Sequence, residues 1–258
     1  MKAALRRRRR AIPCLLTDDG SLVKTVRFRG RDHIGDPANA IRIFNELEVD
    51  ELFLLDISAT PDGREPNLEL VREVAGEAFM PVGYGGGLTE ARQAARLVRA
   101  GIEKVVVNSA ALLRPALITE LAQEIGSQAV VVAIDVRTTL LGERRVVSRS
   151  ASKVHDVRLF DWIDEAQARG AGELLLTSVN REGTWSGFDL AMIRAVAARA
   201  RVPLVAHGGA GSVDDIRLAV QDGHADAVAL GSLVVYQRKG LGVLVGYPER
   251  QSLHRALA

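Results

Sequence analysis

Short apolar runs alternate with amphipathic stretches along almost the whole chain. Segments 12–16, 52–56, 81–84, 105–107, 129–134, 174–177, 203–206 and 227–230 are rich in leucine and β-branched residues and mostly apolar at consecutive positions. Continuous rather than alternating apolar character predicts strands of a parallel sheet buried on both faces. Between them, apolar residues at helical spacing predict helices over 37–48, 68–75, 89–100, 115–125, 159–169, 190–200 and 213–221. Several of these open on good start signals: Asp36 before Pro37, Thr89-Glu90, and Ser212 before Val213-Asp214. Eight strands alternating with helices indicate a parallel α/β fold. No Pro/Gly/Ser-rich linker interrupts the pattern, so one domain is expected.

The chain also repeats itself. A shift of 122 residues carries Glu51-Leu52 onto Glu173-Leu174, Leu68 onto Leu190, Pro81 onto Pro203 and Gly86-Gly87 onto Gly208-Gly209. After His224 the shift becomes 123, and Asn108-Ser109 falls on Gly231-Ser232. So long a period excludes a solenoid. It predicts two four-unit halves, 1–125 and 126–258, closing into a single (β/α)8 TIM barrel.

Each half offers the same chemistry. Gly85-Gly86-Gly87 follows the third strand, Gly208-Gly209-Ala210-Gly211 follows the seventh, and each opens a helix. Glycines there let backbone N–H groups approach an anion, and the helix start adds positive potential. Asn108-Ser109 and Gly231-Ser232 lie in the neighbouring loops, and the loops after strands seven and eight are a recurrent phosphate site in such barrels. The expected ligand is therefore a long phosphorylated small molecule held at both ends. Acid–base candidates are groups at strand C-terminal ends: Asp135 after Val131-Val132-Ala133-Ile134, and Asp56 after Phe53-Leu54-Leu55. A carboxylate there can equally be a loop anchor. Thr177 ends the sixth strand, with Asn180, Glu182 and Thr184 in the loop beyond. Lys24, in the long loop after the first strand, can reach over the mouth to a phosphate or a carboxylate.

Other chemistries find little support. Leu88 stands where a dinucleotide fingerprint needs its last glycine. His33, His155, His207, His224 and His254 have no metal-ligand spacing. Neither a metal nor a cofactor is expected, and these histidines read as structural or solvated. The net charge is only +2. The Arg6–Arg10 run has no aromatic residue beside it, so it reads as a solvated tail rather than a nucleic-acid site. No apolar run approaches the ~20 residues of a membrane span. No secretory signal is recognisable, and Cys14 is the only cysteine, so a reducing cytoplasm is expected.

Taken together, Ile12-Pro13-Cys14-Leu15, Leu55-Asp56-Ile57, Gly85-Gly86-Gly87, Asn108-Ser109-Ala110-Ala111, the stretch from Gly126 to Asp135, Gly170-Ala171-Gly172-Glu173 through Gly183-Thr184, and Gly208-Gly209-Ala210-Gly211 closely resemble HisF. HisF is the cyclase subunit of imidazole glycerol phosphate synthase. The resemblance implies a barrel in heterodimer with a HisH-like glutaminase, whose ammonia crosses the interior to the mouth. There it attacks a bis-phosphorylated formimino ribulosyl nucleotide. It further implies phosphate sites at Gly86, Gly87, Asn108 and Ser109 in one half, and at Gly183, Gly209, Gly231 and Ser232 in the other. Lys24 corresponds to the family's loop lysine. Arg10, Glu51, Lys104 and Glu173 correspond to the charged ring around the ammonia entrance.

The chain departs from that family in the strand-six loop, where Asn180 and Glu182 stand in place of aspartates, and at one catalytic position. HisF carries two catalytic aspartates, and Asp135 matches the second, but Leu16 stands where the first belongs. Leucine cannot move a proton, so the paired-carboxylate chemistry is broken. Leu15-Leu16, Gly35-Asp36-Pro37, Phe44-Asn45-Glu46, Tyr84-Gly85, Tyr236-Gln237 and Gly246-Tyr247-Pro248 resemble instead the WbuZ glycosyl-amidation branch of surface-polysaccharide gene clusters. That likeness implies ammonia supply to an ATP-dependent sugar amidotransferase. A histidine-pathway cyclase and a non-catalytic scaffold are the other readings left open.

Overall fold

The computed structural model describes residues 9–258. Arg6, Arg7 and Arg8 of the arginine run lie outside the described residues. Arg9 is not solvated throughout: its guanidinium donates to the Leu257 and Ala258 carbonyls at 3.2 and 2.9 Å.

Twelve strands form one sheet. Eight of them are parallel and close on themselves: β1 (Arg10–Asp18), β4 (Leu52–Asp56), β5 (Val82–Gly85), β6 (Lys104–Val107), β7 (Val130–Thr138), β10 (Glu173–Ser178), β11 (Leu204–His207) and β12 (Ala227–Leu230). Closure is made by β12 beside β1, with Ala227 opposite Arg10 and Leu230 opposite Pro13. Full closure leaves no barrel strand with an unpaired edge. Helices α1 (Pro37–Glu46), α3 (Leu68–Glu77), α4 (Ala91–Arg99), α6 (Ala116–Ile125), α7 (Leu159–Ala168), α8 (Leu190–Ala197) and α9 (Val213–Gln221) follow successive strands. Their starts are fixed as the sequence indicates. Asp36 accepts from the Asn39 amide at 2.9 Å, and Ser212 accepts from the Asp215 amide at 3.2 Å.

Apolar residues sort into two layers. Residues such as Leu15, Leu54, Val132, Leu174 and Val228 face outward against the helices. Their neighbours Ile12, Cys14, Phe53, Val131, Leu175 and Val205 face inward and fill the barrel. This two-sided burial explains the continuous apolar runs. Gly83 exists to make room: a Cβ there would stand 2.5 Å from the Phe53 ring.

Two hairpins extend the barrel at its mouth. β2 (Ser21–Val26) and β3 (Arg29–Gly35) follow β1, and β8 (Arg144–Ser148) and β9 (Lys153–Val154) follow β7. The stretch read as a long loop after the first strand is thus an antiparallel pair. Its second strand is mostly exposed, which hides any strand period. The short helices α2 (Ala59–Asp62), α5 (Ser109–Leu113) and α10 (Ser232–Val235) occupy rim loops, and α11 (Arg250–Leu257) ends the chain. Among the described residues no helix is long and apolar enough to cross a membrane.

Candidate functional site

The C-terminal ends of the barrel strands open into a cavity of about 140 Å³. Leu16, Leu55, Gly85, Asp135, Thr177 and His207 border it from the strands, with Asn108, Ser109, Gly86 and Gly87 from the loops. Register relates Leu16 to Asp135. Leu16 pairs with Leu55, as Asp135 pairs with Thr177, and the 122-residue shift carries Leu55 onto Thr177. Leu16 and Asp135 are therefore equivalent positions of the two halves, on strands diametrically opposite in the barrel.

Asp135 accepts a hydrogen bond from Asn108 Nδ2 at 2.8 Å, and Thr177 stands opposite it in register on the neighbouring strand. Burial outweighs the lowering effect of these polar neighbours and lifts its pKa to about 7. Nearby, Thr177 Oγ1 lies 3.2 Å from His207 Nδ1. Burial pushes the His207 imidazole down to about 4. The reading of the histidines as structural or solvated thus misses one that borders the cavity. The available signal was its place after Leu204-Val205-Ala206, at a strand's C-terminal end.

Two buried groups shifted in opposite directions should give stability a concealed pH dependence. Folded Asp135 keeps its proton between its ordinary pKa of 3.8 and about 7, so ionisation penalises the folded state as pH rises. His207 resists protonation between 6.5 and about 4, so its contribution rises with pH. The two oppose each other from about pH 4 to 6.5. Asp135→Asn should expose a rising limb and His207→Gln a falling one, each up to about 1.4 kcal/mol per pH unit. Urea unfolding across this range checks both signs; a flat profile in both variants would contradict them.

The other expected site residues divide into two groups. On the first-half side, Gly86, Gly87, Asn108 and Ser109 all border the cavity, joined by Arg149 from the turn after β8. The Arg149 amide donates to Ser109 Oγ at 3.1 Å, and the Gly87 amide to Thr60 Oγ1 at 3.2 Å. Gly87 has φ +72, and a Cβ would meet the Arg64 carbonyl at 2.5 Å. Asp56 borders the cavity too, but its Oδ1 accepts from Ser58 N, Ser58 Oγ and Ala59 N at 2.9–3.0 Å. It anchors the start of α2.

On the second-half side, Gly183, Gly208, Gly209, Gly231 and Ser232 do not border the cavity. The β2–β3 hairpin covers this region: a Cβ on Gly183 would meet the Thr25 carbonyl at 2.5 Å, and one on Gly231 would meet Lys24 Cε at 3.0 Å. Lys24 is buried in an ion pair with Glu182, so of its two expected partners it has taken a carboxylate. Glu182 also accepts from Thr25 Oγ1 and the Phe28 amide, both at 3.0 Å. Asn180 exchanges hydrogen bonds with the Thr138 backbone, and Thr184 Oγ1 donates to the Arg181 carbonyl at 2.6 Å, so both brace loops.

At the opposite end, four charges form a closed ring. Arg10 pairs with Glu51 and Glu173, and Lys104 Nζ pairs with the same two at 2.6 and 2.7 Å. The glutamates are 3–4% exposed and the cations 20–21%, so the ring faces outward through its cations. Among the described residues no group of three His, Cys, Asp or Glu side chains converges to hold a metal.

A closed parallel barrel with matched glycine loops around its mouth and a ring of charges across its floor defines a duplicated (β/α)8 class. The chain belongs to the HisF family: the histidine biosynthesis protein model matches residues 10–239, and close relatives align along nearly its full length. A Pseudomonas aeruginosa protein provisionally named imidazole glycerol phosphate synthase subunit hisF2 is 45% identical, covering 95% of this chain and 98% of its own. The Myxococcus xanthus imidazole glycerol phosphate synthase subunit HisF is 40% identical, covering 95% and 97%. The corresponding Streptococcus mutans subunit is 44% identical, covering 80% and 82%.

Proposed function

We propose that this chain is the synthase subunit of a glutamine amidotransferase, taking ammonia at its floor from a HisH-like glutaminase. Within the family it is assigned to the amidation-associated branch, which supplies ammonia to a sugar amidotransferase for acetamidino groups of surface polysaccharide. One contrast carries the reading: the floor ring is complete, with four alternating charges, while the mouth has Leu16 where Asp135 needs its partner. Delivery requires the first and cyclisation the second. In this reading Asp135 is the remaining catalytic acid, and the first-half loop holds a phosphorylated ligand by backbone N–H groups and Arg149. Supplying the bis-phosphorylated formimino ribulosyl nucleotide with ammonium salts tests it. Absence of product, with glutaminase activity stimulated on complex formation, supports delivery without cyclisation. Efficient turnover makes the chain a histidine-pathway cyclase, and failure to bind any HisH-like glutaminase removes the conduit.

Inorganic phosphate should distinguish the two halves. The first-half loop lies open, whereas the second requires Lys24 to leave Glu182 and the hairpin to lift. Crystals soaked at rising phosphate should fill the Gly86–Gly87 site first and the Gly208–Gly209 site later. Saturating phosphate in neither would remove the anion-site assignment.

A further inference from the structure

Asp135, Thr177 and His207 sit side by side on three adjacent strands. Register places Thr177 opposite Asp135 on one side and opposite His207 on the other. All three border the cavity; Thr177 and His207 are buried and Asp135 is half-buried. Hydrogen-bond capacity then fixes the protons. An ionised Asp135 only accepts, so the single hydroxyl hydrogen of Thr177, opposite it in register, is directed toward Asp135. The Thr177 oxygen is left to accept from His207 Nδ1–H. The imidazole is held as its Nδ1–H tautomer, and Nε2 keeps a bare lone pair. That lone pair faces the second-half loop: a side chain on Gly231 would lie 3.8 Å from Nε2 and 3.7 Å from Lys24 Nζ.

We propose that His207, Thr177 and Asp135 form a proton relay that carries a proton from the Gly231 side of the mouth to the Asp135 carboxylate. A proton arriving at Nε2 releases the Nδ1 proton to Thr177, which passes its own to Asp135. The ring changes tautomer without ever holding two protons. The two environments favour this direction, since burial resists an imidazolium while leaving Asp135 able to hold a proton near neutrality. The charged and titratable groups around the chain are Lys24 and Glu182 near His207, and Cys14 on the inner face of β1.

The use of the relay rests on the ammonia-receiving reading above. Ammonia adds to an sp² carbon of a phosphorylated ligand, its lone pair forming the C–N bond while the π pair moves to the heteroatom. Once the β2–β3 hairpin lifts and Lys24 leaves Glu182, the new ammonium group gives one proton to Nε2, the relay delivers one to Asp135, and Asp135 passes it to the heteroatom. One proton enters and one leaves, with no redox partner. Asp135 and His207 lie two strands apart on one side of the barrel, whereas a cyclase's carboxylates face each other across it. The relay therefore serves addition without restoring cyclisation.

The test needs neither ligand nor glutaminase. Ring nitrogens of ¹⁵N-histidine-labelled protein are followed by NMR from pH 5 to 9, with His207→Gln identifying the signal. Above the Asp135 titration Nδ1 should be protonated and Nε2 bare. Below it, protonated Asp135 donates to Thr177, Thr177 donates to Nδ1, and the two nitrogens should exchange roles while the ring stays neutral. Thr177→Val should abolish the exchange and Thr177→Ser preserve it. If the valine variant does not fold, Asp135→Asn should remove the pH dependence of the tautomer. A ring that keeps one tautomer throughout, or exchanges equally in Thr177→Val or Asp135→Asn, overturns the relay. Nucleotide turnover or glutaminase failure overturns the delivery reading instead, and leaves the tautomer result untouched.

Discussion

With ammonium salts as nitrogen source, the bis-phosphorylated nucleotide should be cyclised at least roughly a hundredfold more slowly than by relatives with both aspartates, the usual scale of one acid–base group. Leu16 is 8% exposed, borders the cavity and occupies the position equivalent to Asp135. No rearrangement of its side chain supplies a proton. Leu16→Asp places a carboxylate diametrically opposite Asp135 and should recover measurable turnover if the remaining contacts suit the nucleotide. Such a carboxylate is buried, so a fall in stability should accompany the gain. Single-turnover assays of both proteins at saturating nucleotide decide the matter. A wild-type rate matching two-aspartate relatives would show that another group does the work.

The second large effect is expected at the other end of the barrel. Lys104→Ala leaves Glu51 and Glu173 sharing Arg10 alone, two nearly buried carboxylates against one guanidinium. Breaking a buried pair by removing one partner costs about 3 kcal/mol or more, though the 20% exposure of Lys104 softens this. Stability alone does not distinguish an entrance from an ordinary ion-pair cluster. The distinction can be read in a Leu16→Asp background that turns over. There Lys104→Ala should lower glutamine-driven turnover severalfold, leaving both ammonium-driven turnover and glutamine hydrolysis nearly unchanged. Loss of folding stability with equal effects on both nitrogen sources would make the ring purely structural.

Much of this was legible in residue order because the physics is local. The eight barrel strands are apolar on both faces, so their runs stand out, and Leu52–Asp56 and Ala227–Leu230 are found at their expected bounds. The hairpins were not legible: β3 has exposed residues on both faces, and β9 is two residues long. The β2–β3 hairpin is held by one side chain, Glu182, whose contacts with Lys24, Thr25 and Phe28 span more than 150 positions. Sequence spacing holds no signal for that. Asp56 illustrates the converse, since a carboxylate ending an apolar strand beside Ser58 and Ala59 can cap a helix start as readily as face a ligand. His207 carries a weaker signal, since an imidazole ending the apolar run Leu204-Val205-Ala206 packs in a core as readily as it faces a ligand.

Between the floor charges and the mouth, the inward-facing cluster holds Ile12, Phe53, Val131, Leu175 and Val205, together with the weakly polar thiol of Cys14. Burial holds that thiol's pKa at about 12, so it offers no counter-charge. Such a lining discriminates between two forms of one solute. An ammonium ion crossing it abandons its hydration shell with nothing to replace it, a cost far beyond that of moving a neutral molecule. Ammonia loses only a few hydrogen bonds. In the delivery reading proposed above, the interior would favour the uncharged base, and a nitrogen crossing it would have to shed its surplus proton before entering and arrive as a nucleophile.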